Sequence, residues 1–219
     1  MKRRLVRFLM LACVAALAVA CSDGDDDSGG YIPPYITDMM EVSTDADGML
    51  TRVKLDNGLI YDVSAQKRMS DAPDTVLRCR GAYTLDKGKF TLHGAAAVFA
   101  DKPVPASAFT VVKNGVAYHG SEYLPRDPVK MVSMWQSGGY INLHLGVMTT
   151  GQGIHQYAFS KDDEGQYSLV HLRPFGDDES YTDQVYMSMP IPEDLDELTF
   201  SVYTYEGIYT RTFRVVEND

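Results

Sequence analysis

The sequence is short of several things. Three cysteines stand among 219 residues, too few for the paired framework that staples small extracellular folds. Basic side chains number 20 against 30 acidic ones. So acidic a chain repels phosphate backbones, which disfavours general nucleic-acid binding. No stretch holds apolar residues at helical spacing over a dozen or so positions, so little helix is expected. No Gly-x-Ser-x-Gly elbow, P-loop or dinucleotide fingerprint occurs, and no repeat of fixed period is visible. What is present, 45% hydrophobic and 23% charged residues, is an ordinary globular balance that rules out wholesale disorder.

The N-terminus carries the most specific pattern. Residues 1–7 are basic and residues 8–20 are apolar. That apolar run is too short to cross a bilayer, which takes roughly 20 residues, and it reads as a secretory leader. Leu17-Ala18-Val19-Ala20 precedes Cys21, and small residues ahead of a cysteine suit a lipoprotein signal peptidase. Cys21 is therefore expected to carry a diacylglycerol on its thiol and a third acyl chain on its freed amine. Several chains anchor stably, since each buried methylene contributes about 0.8 kcal/mol. Removal of the leader takes Cys13 and also Lys2, Arg3, Arg4 and Arg7, leaving sixteen basic side chains against thirty acidic ones, a formal −14. Cys79 is then alone, and it reads as a small buried hydrophobe.

Residues 22–30, Ser-Asp-Gly-Asp-Asp-Asp-Ser-Gly-Gly, cannot bury apolar area and read as a flexible tether. Ser22, Asp23, Asp25, Asp26 and Asp27, directly after the lipidated cysteine, also resemble a lipoprotein export signal of one Gram-negative phylum. The expected location is the outer membrane, lipid-anchored and facing the cell exterior.

The remainder alternates like strands. Residues 39–44, 49–55, 59–64, 76–85 and 89–100 form a first group, separated by Asp45-Ala46-Asp47-Gly48, Asp56-Asn57-Gly58 and Asp86-Lys87-Gly88. Asn-Gly supplies the positive φ of a tight turn. Residues 101–128 are richer in proline, with a small hairpin expected around Asn114-Gly115. Seven more strands follow at 129–135, 140–149, 155–160, 167–173, 184–189, 198–205 and 208–216. Ile141, Leu143, Leu145 and Val147 alternate with Tyr140, Asn142, His144 and Gly146, the period of a strand with one buried face. Seven short strands fit a β-sandwich.

The second half also carries a family pattern. Asp127-Pro128-Val129, Met134-Trp135, Gly139-Tyr140-Ile141-Asn142-Leu143, Ile154-His155-Gln156-Tyr157-Ala158-Phe159, Gly176-Asp177-Asp178-Glu179-Ser180-Tyr181, Met187-Ser188-Met189-Pro190-Ile191 and residues 200–207 resemble NigD-like lipoproteins. The resemblance implies an all-β chain, with an N-terminal OB-like barrel followed by a C-terminal antiparallel β-sandwich. The expected division is a lipoprotein signal peptide at 1–20, a tether at 21–37, the OB-like domain at 38–105, a connection at 106–126 and the sandwich at 127–219. The family takes its name from a bacteriocin-associated operon. The resemblance brings no catalytic residue with it.

Candidate chemistry is sparse. His93, His119, His144, His155 and His171 show no zinc spacing with each other or with cysteine, and they read as hydrogen-bonded strand residues. Asp45-Ala46-Asp47-Gly48 begins like a calcium loop but places its glycine fourth, so a turn is expected. Asp177-Asp178-Glu179 reads as a solvated loop ahead of a calcium site. Gly151-Gln152-Gly153 reads as a hairpin turn, and Trp135 reads as core. No catalytic residue, metal or cofactor is expected. The function expected is that of a non-enzymatic accessory or interaction lipoprotein, held to the membrane through Cys21, with a protein or glycan partner. A glycan-binding module, suggested by 14 tyrosines, and a bacteriocin immunity-like protein are the rivals.

Overall fold

Turn chemistry sets the first sheet. Strand β1 (Ile36–Thr44) leads into Asp45, whose Oδ1 accepts the backbone N–H groups of Asp47 and Met49. Gly48 takes φ 73° there and starts β2 (Leu50–Leu55). The next turn is closed by Asn57, whose Oδ1 accepts the Leu59 N–H, with Gly58 at φ 87° ahead of β3 (Ile60–Asp62). Both stretches are thus turns, as the sequence led one to expect. The long hairpin of β4 (Val76–Asp86) and β5 (Lys89–Ala97) completes a curled half-barrel of order β3-β2-β1-β4-β5. All its pairs are antiparallel, and β3 and β5 stay unpaired with each other. The computed structural model describes residues 34–63, 68, 73–113, 116–118, 120–177 and 180–215. The leader, Cys21 and the acidic run Ser22, Asp23, Asp25, Asp26 and Asp27 lie outside the described residues.

The strand expected at 89–100 breaks at Val98. Its tail, β6 (Phe99–Ala100), leaves the half-barrel and pairs in parallel with a strand of the second half. The short β7 (Val104–Pro105) does likewise. A hairpin of β8 (Val111–Lys113) and β9 (Val116–Tyr118) follows, flanked by two single 3-10 turns.

The second half is a sandwich of two sheets. One has the order β10-β11-β14-β6, where β10 is Lys130–Ser137, β11 is Tyr140–Thr149 and β14 is Tyr181–Pro190. The other has the order β16-β15-β13-β12-β7, built from β12 (Gln156–Lys161), β13 (Tyr167–Leu172), β15 (Glu197–Thr204) and β16 (Gly207–Arg214). Long pairs are antiparallel, but β6–β14, β7–β12 and β13–β15 are parallel. The last follows from the path: β14 crosses to the opposite sheet, so the chain returns in the direction of β13. Among the described residues the only helical turns are the two 3-10 turns, and the chain is all-β.

The alternating residues Ile141, Leu143, Leu145 and Val147 point inward, where they meet Phe159, Met187, Met189, Phe200 and Val202. Full burial of such side chains contributes about 1.5–3 kcal/mol each. A smaller core of Met40, Val42, Val53, Leu55, Cys79 and Tyr83 fills the half-barrel. Cys79 is fully buried, and burial pushes its thiol up to about 12, so it packs as an inert hydrophobe.

Candidate functional site

Two polar clusters stand out, one where the modules join and one at the far end of the sandwich. At the junction, Arg78 of β4 is 5% exposed. Its guanidinium forms a fork with Asp56, donating from Nη1 at 2.5 Å and Nη2 at 2.7 Å. It also donates across the junction to Asn142 Oδ1 of β11 and Ser188 Oγ of β14. Ser137 donates to the same Asp56 carboxylate. A side chain at Gly138, which sits at φ 60°, would collide with that carboxylate. Tyr140 lies under the guanidinium at 4.1 Å and donates to Glu41 at 2.8 Å. Burial and that hydrogen bond push the Tyr140 phenol up to about 12. A planar fork whose nitrogens are partnered on both sides of the junction fixes the two modules against each other. The open cleft alongside, about 300 Å3, is lined by apolar side chains, by Tyr140, by Arg78 already paired with Asp56, and by Asp101 and Lys102.

The far end is reached along β11, nine steps from Tyr140 to Thr149, or about 30 Å at the rise of a strand. There the chain passes from one sheet to the other through Gly151-Gln152-Gly153. The stretch is a crossover between sheets and not a hairpin turn. Gly153 sits at φ 82°, and a side chain there would strike Pro174. This close approach brings His155, just before β12, against His171 of β13. His155 Nδ1 lies 2.9 Å from His171 Nε2. His155 Nε2 lies 2.9 Å from Asp177 Oδ2, and His171 Nδ1 lies 2.9 Å from the Asp127 carbonyl oxygen. Thr150 donates its backbone N–H and its hydroxyl to Asp177 Oδ1. Those two bonds lead the causes that hold the Asp177 carboxyl well below the usual carboxylate range, with His155 adding to them. Burial, with the neighbouring His155, lowers the affinity of His171 for a proton. Tyr157 stacks on both imidazoles.

The acceptors determine where the protons sit. The Asp127 carbonyl can only accept, so His171 carries a proton on Nδ1, and its Nε2 faces His155 Nδ1. Every ring nitrogen is engaged. Thr150 is bonded to the acid of this chain and not to an imidazole, so nothing here draws a proton from a nucleophile. Among the described residues no three His, Cys, Asp or Glu side chains converge as metal ligands. The cluster, as arranged, fastens the loops before β12 and after β13.

Sequence reasoning missed this pair. His155 and His171 are 16 residues apart, which hides them from any spacing rule. Folding the chain about the turn at Asp162–Gly165 would have shown it, because Tyr157 then lies opposite His171 and His155 becomes a diagonal neighbour. Asp177, read as part of a solvated loop, is 5% exposed and holds two loops together. Asp178 and Glu179 lie outside the described residues. His144 stacks on Tyr186 and bonds Gln184. His93 meets Thr84. His119 lies outside the described residues. Trp135, read as core, is half-buried on the outer face of its sheet. It stands opposite Asn142, one residue out of phase with the inward Met134 and Leu143.

The tyrosine faces that suggested glycan stacking are largely taken. Arginine or lysine lies over Tyr140, Tyr186, Tyr203 and Tyr167, and histidine stacks on Tyr157 and Tyr186. At the far end, by contrast, Phe175 is fully exposed, with Ile154 (51%), Tyr181 (52%) and Leu172 also open to solvent.

Comparison with solved structures identifies the architecture. A NigD-like immunity protein from Bacteroides caccae superimposes with a TM-score of 0.65 at 24% identity, covering 86% of this chain and 100% of that one. The chain has a NigD-like fold. A putative toxin-related protein from Parabacteroides distasonis matches at TM-score 0.64 and 15% identity, covering 84% of this chain and 95% of that one. A protein of unknown function from Bacteroides vulgatus matches at 0.62 and 14%, covering 84% and 92%. The half-barrel and the sandwich are therefore shared across proteins that differ widely in sequence. No protein-family model matches the chain, and no curated protein matches it.

Proposed function

We propose that this protein is a lipid-anchored envelope protein of NigD-like fold that acts by binding another macromolecule and carries out no chemistry itself. The observation that carries the reading is the far-end cluster. The side chains of His155, His171, Asp177 and Thr150 are spent on holding loops, with every imidazole nitrogen already partnered within the protein. The Arg78 fork supports it, because it makes two small modules into one rigid arm, and rigid arms suit binding by cutting the entropy lost on association. The sequence pattern around Cys21 supports attachment to the outer membrane, and the acidic run after it supports display on the cell exterior.

Two measurements test this on the full chain in cells. Protease added to intact cells should digest an epitope-tagged version, and replacing Asp25, Asp26 and Asp27 with alanine should protect it. Amine cross-linking followed by isolation in mild detergent should yield a discrete complex. A tag that survives until lysis removes the exterior location. A chain that is always recovered alone removes the binding role.

An immunity role is a second reading, favoured by the description of the Bacteroides caccae structure as an immunity protein. It makes a secreted toxin the first partner to try. Deletion of the gene should then raise sensitivity to that toxin, and unchanged sensitivity counts against it. A glycan-binding role is the weaker rival, because the flat faces of Tyr140, Tyr157 and Tyr186 are covered within the protein itself.

A further inference from the structure

We infer that the free edge of β16 pairs with the same edge of a second copy of this chain, joining the two sheets into one across a two-fold axis. This goes beyond the binding role proposed above and does not rest on it. An exposed strand edge is a ready site for another strand to add, and most proteins blunt such edges. Among the described residues, the other edges here are blunted. β3, β8 and β9 have three residues each, and β6 and β7 have two, with β7 ending on Pro105. β5 is interrupted at His93, where its register with β4 shifts. β10 is interrupted between Met131 and Ser133, and Arg211 caps its Met134 carbonyl. By contrast, β16 ends its sheet, runs for 8 residues and keeps unbroken register with β15.

The hairpin determines which backbone groups that edge offers. Thr204 and Gly207 are the paired residues that flank its turn, and such a flanking pair exchanges its hydrogen bonds across the hairpin. Tyr209, Arg211 and Phe213 alternate with it and spend their N–H and C=O groups on β15. Val215 continues the series, donating to the Asp196 carbonyl. Ile208, Thr210, Thr212 and Arg214 therefore turn their backbone groups outward. A second β16, antiparallel to the first, satisfies them when Thr210 meets Thr210 on the axis. Ile208 then meets Thr212 of the second copy on either side.

Side chains select this register. Tyr209 meets Arg211 of the second copy in the closer, non-hydrogen-bonded kind of pair, where a guanidinium can lie on a ring. Glu206 of the turn comes alongside Arg214 of the second copy. Two-fold symmetry repeats both contacts. A slide of two residues one way sets Arg211 against Arg211, and a slide the other way sets Tyr209 against Tyr209 and carries Arg214 past the turn. Ile208 and Tyr209, 60% and 41% exposed, would be covered. Arg211 already lies over Phe213 and donates to the Met134 carbonyl, which holds its exposed side chain beside the edge. The chain as a whole is acidic and repels itself, but this edge is balanced. Arg126 over Tyr203, Arg211 and Arg214 stand there against Asp196, Glu197 and Glu206. Charged side chains can also guard an edge, and in this register both arginines of β16 find partners.

The test places single cysteines in the full chain in living cells and reads disulfide-linked dimers after mild oxidation. Thr210→Cys should give a dimer, because a hydrogen-bonded self-pair sets its Cα atoms about 5.5 Å apart, within disulfide reach. Ile208→Cys and Thr212→Cys should each stay monomeric alone, and should link to each other when two differently tagged chains are made in one cell. Leu59→Cys, exposed elsewhere, and the unchanged chain should not link. Thr210→Pro should abolish the mixed link between 208 and 212 while the chain stays protease-resistant, because it removes an N–H that β15 does not use. Arg214→Glu should lower the Thr210→Cys link about fivefold or more, with Glu206→Arg restoring it, since two ion pairs are reversed and then remade. No link at 210, or one as strong at 59, would overturn the proposal. Self-links at 208 or 212 as strong as the mixed link, or a link unmoved by Arg214→Glu, would overturn the register and the proposal with it. A mixed link that survives Thr210→Pro would show proximity without strand pairing and would also overturn it. A Thr210→Cys adduct with a different protein would assign the edge to a foreign strand and overturn self-pairing. A chain that links to itself and captures nothing else would leave this inference standing and remove the binding role proposed above.

Discussion

The half-barrel and the sandwich solve the same problem to different degrees. The sandwich buries two inward faces against each other, so Leu143 and Phe159 are enclosed from both sides. The half-barrel is a single sheet curled on itself. It stays open between β3 and β5, and Leu59 and Ile60 beside the gap are more than half exposed. Its core is correspondingly smaller, and small cores leave little margin over chain entropy. What it lacks in apolar burial it makes up through Arg78, which fastens its outer face to β11 and β14. The sandwich therefore stands largely by itself, and the half-barrel leans on it.

Breaking the junction tests that difference most directly. Arg78→Met leaves the Asp56 carboxylate buried without its partner. Losses of about 3–5 kcal/mol are usual for such a removal, and the half-barrel should unfold first in denaturant. Adding Asp56→Asn should restore part of the loss, because the uncompensated charge is then gone. A single unchanged transition in Arg78→Met would show that the half-barrel does not depend on the fork. Core truncations come next. Leu143→Ala and Leu55→Ala should each cost about 2–5 kcal/mol. The first should lower every transition, and the second should lower only that of the half-barrel, as read by Cys79 reactivity. Equal effects on both modules would make the protein a single cooperative unit.

The same contrast explains what the sequence revealed. Alternation exposes each strand, since a half-buried face leaves a period of two in the residues that form it, as in β11. It does not reveal what covers the other face. Arg78 and Arg80 look alike in Val76-Leu77-Arg78-Cys79-Arg80, both pointing away from the half-barrel core. One is buried because the sandwich packs there, and the other is exposed over Tyr186. Trp135 was misplaced for a related reason: strand position was legible, but phase decides the face, and phase turned on the inward Met134. The far-end site was hidden more deeply. It needs a crossover through Gly151 and Gly153, a hairpin register and a loop after β13, and each lies outside any local motif.

Acid should sharpen the comparison by acting on the sandwich alone. His171 has a lowered proton affinity in the fold, so the unfolded chain takes up the proton more readily. Its stabilising contribution is fully present above pH 6.5, the ordinary histidine value, and is lost as pH falls through the folded value below it. Asp177 follows in the same direction at lower pH. Its contribution is present above 3.8 and is lost as pH falls below that toward the depressed folded value. Protonation of His171 at Nε2 also sets an N–H against the His155 ring and weakens that contact. The sandwich midpoint in urea should therefore be lower at pH 5.5 than at pH 7.5, and His171→Gln should flatten the difference. A sandwich midpoint independent of pH over this range would show that the His171 imidazole does not couple to folding.

The smallest expected effect is at Cys79, and it is the most discriminating. This thiol sits fully buried in the half-barrel core, so a disulfide reagent reaches it only when that module opens. Its labelling rate, divided by that of a free cysteine peptide at the same pH, measures the opening equilibrium of the half-barrel. Moving from pH 7.5 to 5.5 should loosen the His155–His171–Asp177 end yet leave this ratio nearly unchanged, because the end lies about 30 Å along β11 from the junction. Arg78→Met should raise the ratio strongly at both pH values. If acid alone raises it, the far end and the junction are coupled through β11. Asn142 and the inward row from Ile141 to Val147 would then transmit the change, since they share that strand.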